Sequence, residues 1–185
     1  MQQSERILPP EFLNVFVWVN NMELWDLYTE NRRLTGKTHI RGEEIPDGYY
    51  HLVVHVWIRN SKDQYLISQR SATRPAFPLM WECVGGSVVA GERSLEGALR
   101  EVKEEVGLNL LPGSGKLLFT KTRKIYHDFV DVWQFQYDGE VSLHNATTDE
   151  VAQVKWMSVH QIRQLLDSGS LVPSLAYFFT VVEPI

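Results

Sequence analysis

The stretch Gly85 to Leu108, GGSVVAGERSLEGALREVKEEVGL, decides how the rest of the chain is read. Ser94 to Val106 has helical periodicity, with Ser94 as the expected N-cap and Gly107 just past the end. On a wheel of about 100° per residue, Leu95, Ala98, Leu99, Val102 and Val106 form the stripe expected to be buried. Glu101, Glu104 and Glu105 fall on a different arc, at i, i+3 and i+4, within reach of one point in space. Such like charges repel by a few tenths of a kcal/mol per pair, and acids near a helix C-terminus oppose its dipole. A solvated face would more often alternate acids with lysines, and the lone Lys103 projects away from this arc. A hard divalent cation held by oxygens is the simplest compensation. The loop ahead of the helix adds Gly85-Gly86, whose backbone can approach a ligand closely, and a fourth carboxylate, Glu92.

Working outward, Tyr49 to Ile58 (YYHLVVHVWI) reads as a buried strand, with Tyr65 to Gln69 as its hairpin partner across the Asn60–Asp63 turn. Further strands are expected at Leu117–Thr122, Phe129–Tyr137 and Val151–Met157, and a second helix at Val159–Leu166. Residues 71–80 hold two prolines and read as loop. Many strands with two separated helices give an α+β sandwich with a mixed sheet, not an alternating doubly wound fold. Residues 1–21, polar and then apolar after Pro9-Pro10, read as a separate leader, either an added strand or an artefact of start-site choice; residues 22–185 read as one domain.

The 185 residues carry 18 basic and 23 acidic side chains, a net charge of −5. Bulk charge therefore argues against a nucleic-acid polymer as partner. Setting aside Glu92, Glu101, Glu104 and Glu105 leaves −1, so much of the acidity belongs to one place. The single cysteine, Cys83, forbids an internal disulfide and fits a reducing compartment. No apolar run approaches the ~18 residues of a membrane span, and a cytoplasmic location is expected.

Gly86, Glu92, Arg100, Glu101, Val102, Glu104, Glu105, Gly107 and Leu108 occupy every defined position of the Nudix box. On these residues the chain resembles the Nudix hydrolase superfamily. The resemblance extends from about Met22 to the C-terminal helix, through Gln69-Arg70-Ser71, Phe77-Pro78 to Trp81, and Val154 to Ser158. Leu79 departs from it, standing where relatives usually carry glycine. The resemblance implies an α/β/α sandwich and hydrolysis of a diphosphate linkage, with water attacking phosphorus and Mg2+ as cofactor (Mn2+ as a substitute). It also implies Glu104 and Glu105 as metal ligands, Glu101 as ligand or general base, and the Gly86 carbonyl as a further ligand. The resemblance further implies that Arg100 and Glu92 brace the box, with Arg100 holding a carboxylate in place.

The segment before the box is also similar to isopentenyl diphosphate isomerase, with Leu24 to Tyr28 preceding the His51-Leu52-Val53 strand. The isomerase has a cysteine just before the box glycine and a histidine just after it. Here those positions are Gly85 and Ser87, and Cys83 lies two residues early, so hydrolysis is favoured over isomerisation. A binding protein that kept the fold without turnover is the third reading, and the complete box argues against it. His51 aligns with an isomerase metal ligand and is the candidate for a second metal site, with His39 as a possible partner; the competing reading is a hydrogen-bonded strand histidine. His51 and His55 share a strand face. Arg70 is the candidate phosphate contact, with Lys121, Arg123 and Lys124 as a basic run. Glu150 is the candidate extra acid, with Asp149 as competitor. Trp81 and Trp133 are stacking candidates or core. The expected partner is a small-molecule diphosphate selected by loops 71–80 and 138–149, with the leader as an exchanged strand in a homodimer.

Overall fold

The computed structural model describes residues 23–184, so the leader lies outside the described residues. The strands are β1 (Leu24–Thr29), β2 (Leu34–Ile40), β3 (Tyr49–Arg59), β4 (Gln64–Arg70), β5 (Trp81–Glu82), β6 (Val84–Ser87), β7 (Gly115–Arg123), β8 (Asp128–Gln136) and β9 (Val151–Ser158). The helices are α1 (Ser94–Val106) and α2 (Val159–Asp167). Strand β3 is the hub. It pairs antiparallel with β6 from Val53 to Val56 on one side and parallel with β8 from His51 to Arg59 on the other. Strand β7 lies beyond β8, and β4 pairs with β5 and β9. This is the expected mixed sheet.

Alternation along β3 builds the two halves of the sandwich. Val54, Val56 and Ile58 point into a core shared with Ala98, Val102 and Val106 of α1. Val53 and Trp57 point the other way, into a core closed by Ile162 of α2 and by Leu171, Leu175 and Phe178 of the C-terminal segment. One apolar helix face on each side of a two-faced sheet gives the α/β/α sandwich.

Helix α1 spans the residues expected of it, but its N-cap is Arg93 and not Ser94. The Arg93 amide donates to the Glu96 carboxylate at 2.8 Å, while the Ser94 hydroxyl accepts from the Trp133 indole at 2.9 Å. The other end follows expectation: Gly107 adopts φ 71°, and its N–H donates to the Lys103 carbonyl. Burial departs from the wheel, because Glu101 and Glu105 are buried alongside Ala98, Val102 and Val106. Two acids of the arc therefore face the protein, while Glu104 stays partly exposed.

Candidate functional site

The segment β6–α1 lays the Gly85-Gly86 backbone beneath the carboxylate face of α1. A side chain added at Gly86 would collide with the Glu101 carboxylate, and one at Gly85 with the Val54 carbonyl of β3. Glycine is what lets strand, sheet and carboxylates close up at this point. Glu105 is 4% exposed, and its recorded hydrogen bond is a long one, accepted from the Gly85 amide at 3.3 Å. Burial, then the Glu101 and Glu82 charges, push its carboxyl well above the usual range. Glu101 is raised to about 7: burial dominates, Arg100 opposes it, and Glu104 and Glu150 add to it.

Arg100 holds the group together. Its Nε donates to both oxygens of Glu92 at 2.9 and 3.1 Å, one terminal nitrogen to Glu101 and Glu104 at 2.9 Å each, and the other to the Ser87 carbonyl at 2.9 Å. The brace expected of Arg100 and Glu92 is thus visible as geometry. One guanidinium serves three carboxylates, and among the described residues Glu105 has no cationic partner.

Two neighbouring loops close the pocket. The amides of Thr147 and Thr148 donate to the Glu104 carbonyl at 2.9 and 3.3 Å, which pins the loop before β9 against α1. Glu150 follows and lines the same cavity of about 190 Å³, whereas Asp149 is not among its walls. Arg74, from loop 71–80, ion-pairs with Glu150, and Arg41 pairs with Glu23 at 2.7 Å; both arginines line the cavity. Neither was singled out in the sequence. Arg41 follows a polar, largely exposed strand, and Arg74 sits in a proline loop, so neither belongs to a periodic pattern that would mark it.

Arg70 is not brought into this cavity. It is spent on Glu82 at 2.6 Å and on the Ala76 carbonyl at 2.8 Å, a contact that shapes the loop presenting Arg74. His51 also lies elsewhere, stacked on Trp25 with ring centroids 4.0 Å apart and its Nε2 4.0 Å from Asp128. Burial pushes its imidazole down to about 4, so it is neutral near pH 7, and His39 is turned to the Glu43 carbonyl at 3.2 Å. These positions do not assemble the second metal site that His51 suggested. The competing reading of His51, a hydrogen-bonded strand histidine, does not describe it either: its buried Nδ1 has no hydrogen-bond partner among the described residues, whereas the His55 Nδ1 lies 2.8 Å from the Tyr177 hydroxyl. Trp81 is core, and Trp133 is committed to Ser94.

Among the described residues no three acid, imidazole or thiol groups converge closely enough to enclose an ion as they stand. The reason is on view: Arg100 draws Glu101 and Glu104 to itself. The donor chemistry nevertheless fits a hard divalent cation, since every side-chain donor is a carboxylate and the most buried one has no counter-charge. Among the described residues no helix is long and apolar enough to cross a membrane.

Comparison with known proteins agrees with this geometry. The NUDIX domain family matches residues 49–177. An uncharacterized Nudix hydrolase of Listeria innocua is 42% identical over 162 residues, 85% of this chain and 91% of that protein. A chloroplastic isopentenyl-diphosphate Delta-isomerase of Arabidopsis thaliana is a more distant relative, 27% identical over 84% of this chain and 62% of its own length. A crystal structure from Deinococcus radiodurans shares the fold, with a TM-score of 0.66 and 23% identity over 81% of this chain and 92% of that one. The chain belongs to the Nudix family and is a hydrolase of diphosphate bonds.

Proposed function

We propose that the protein hydrolyses a small organic diphosphate, a nucleoside diphosphate ester or a related compound, with Mg2+ held by Glu101, Glu104, Glu105 and the Gly86 carbonyl. The observation that carries this reading is Glu105: a carboxylate buried beside a second one, whose arginine does not reach it, is stable and ionised only if a cation joins it. When bound, the ion neutralises the diphosphate and lowers the pKa of water. The chain supplies the rest. Arg74 and Arg41, each now resting on a carboxylate at the cavity wall, are free to exchange that partner for phosphate oxygens and hold the substrate in line. Arg100 and Glu92 fix the box carboxylates. The proton lost by the attacking water passes to Glu101 or Glu150, both of which face the cavity.

Isomerisation is not favoured. Gly85 stands where the isomerase cysteine would, and β3 approaches too closely there for a side chain. Cys83 is buried, and burial pushes its thiol well up, away from the range of an acid–base group. Turnover of a diphosphate panel with magnesium, lost in Glu104→Gln and Glu105→Gln, is the expected result. Full activity in either variant would overturn the metal assignment, and conversion of isopentenyl to dimethylallyl diphosphate would overturn the preference for hydrolysis.

A further inference from the structure

The basic run Lys121, Arg123, Lys124 is sorted by the fold into three different circumstances. Lys124 is spent on Glu30 at 2.5 Å. Arg123 forks onto Asp128 at 2.8 and 2.6 Å, with its guanidinium 4.9 Å from the Tyr126 ring centre. Lys121 is exposed and forms no ion pair or hydrogen bond through its ammonium among the described residues. It lines an open cleft of about 750 Å³, within the size range of ligand pockets.

Register fixes where that cleft lies. Lys121, Val130, Val53 and Ser87 are successive partners across β7, β8, β3 and β6, so they share a sheet face. Three strand spacings of about 4.8 Å put the Lys121 backbone roughly 14 Å from the strand that carries the box glycines. A smaller cavity of about 90 Å³ borders both the cleft and that strand. Ser174 walls the cleft and this cavity, and Gly85 and Gly86 wall the smaller cavity and the carboxylate pocket alike. The lining acid, Asp128, is already neutralised by Arg123, and His51 is neutral, so the cleft carries the uncompensated charge of Lys121. Phe77 and Tyr126, about half exposed, flank it as apolar walls.

We propose that this cleft receives the group attached to the diphosphate, and that Lys121, with Arg123 behind it, selects substrates carrying a second anionic centre there, a phosphoryl or a carboxylate. This deepens the hydrolase reading and rests on it. The test uses matched pairs: ADP-ribose with its 2′-phosphate for the phosphoryl arm, and UDP-glucose with UDP-glucuronate for the carboxylate arm. The wild-type protein is expected to favour one charged member by roughly tenfold in kcat/KM, the scale of one charge-assisted contact. Lys121→Ala should erase that preference while leaving the neutral member within about twofold, and Lys121→Arg should keep it, which a merely structural lysine would not do. Calorimetric binding of the same pairs in EDTA gives the same ratio without turnover. Absence of all turnover would sink the hydrolase reading while this binding ratio still decides the role of Lys121. Equal treatment of both members by the wild type in both arms and both readouts overturns the proposal, as does a preference that survives Lys121→Ala.

Discussion

Four acids are buried among the described residues, and they fall into two pairs with opposite electrostatics. Asp128 and Asp131, on β8, each have an arginine of their own: Arg123 forks onto Asp128, and Arg32 onto Asp131 at 2.8 and 2.5 Å. Burial pushes the Asp131 carboxyl up, but hydrogen bonds from Arg32 and Thr120 outweigh it and hold the group below its usual range. Of Glu101 and Glu105, on α1, the first shares Arg100 with Glu92 and Glu104, the second has no ion-pair partner among the described residues, and both are raised. Acids of the first kind hold structure together. Acids of the second kind weaken the free protein, and are consistent with a place kept for a cation.

The largest effect expected from breaking this contrast is catalytic. Glu105→Gln should lower kcat/KM at least roughly a hundredfold, the scale lost with one preorganised electrostatic group. Arg32→Ala should leave kcat per folded molecule unchanged in the same steady-state assay. Its cost appears instead in urea unfolding, as a loss of about 3 kcal/mol, because it strands a buried Asp131. Wild-type stability equal to that of Arg32→Ala would erase the distinction.

A pH comparison sharpens it. Glu101 rises to about 7 in the folded chain from an ordinary carboxylate value when unfolded, so the folded state binds more protons between about 4.5 and 7. Its contribution to stability is therefore full at low pH and lost as pH rises through that window. Asp131 works the other way, adding stability above its unfolded value and losing it as pH falls through its lowered one. In EDTA, denaturant midpoints for wild type minus Glu101→Gln should decline from pH 4.5 to 7, and for wild type minus Asp131→Asn should decline below about pH 4. A flat difference across both windows would contradict the pairing. The smallest effect lies outside both pairs. Leu79 sits at φ 63°, a conformation that costs a non-glycine residue about 1 kcal/mol, so Leu79→Gly should raise the thermal midpoint by a few degrees.

Much of this was legible in the sequence where two signals coincide. The helix Ser94–Val106 follows from periodicity together with Gly107, and β3 from an apolar run long enough to be covered on both faces. The box carboxylates stood out because their spacing contradicts ordinary helix electrostatics. Strand β2 was not legible: Leu34–Ile40 is polar and half exposed, held by pairing to β1 and not by burial. Nor were Arg41 and Arg74, whose proximity to α1 is created by β1–β2 and by the loop that Arg70 and Glu82 anchor. Arg70 looked like the phosphate contact because it ends a strand beside the box. The fold spends it on Glu82, and Arg74 of the neighbouring loop lines the cavity instead.

The most direct test of the central claim is thermal unfolding of wild type and Glu105→Gln, each in EDTA and in saturating magnesium. In EDTA the variant should melt higher than wild type, because it buries an amide where the wild type buries an unpaired acid. Magnesium at about a hundred times its Kd should raise the wild-type midpoint by roughly 5–10 °C and leave the variant nearly unmoved. Equal magnesium shifts in the two proteins, or none in wild type, would contradict the assignment of the buried α1 acids to a cation.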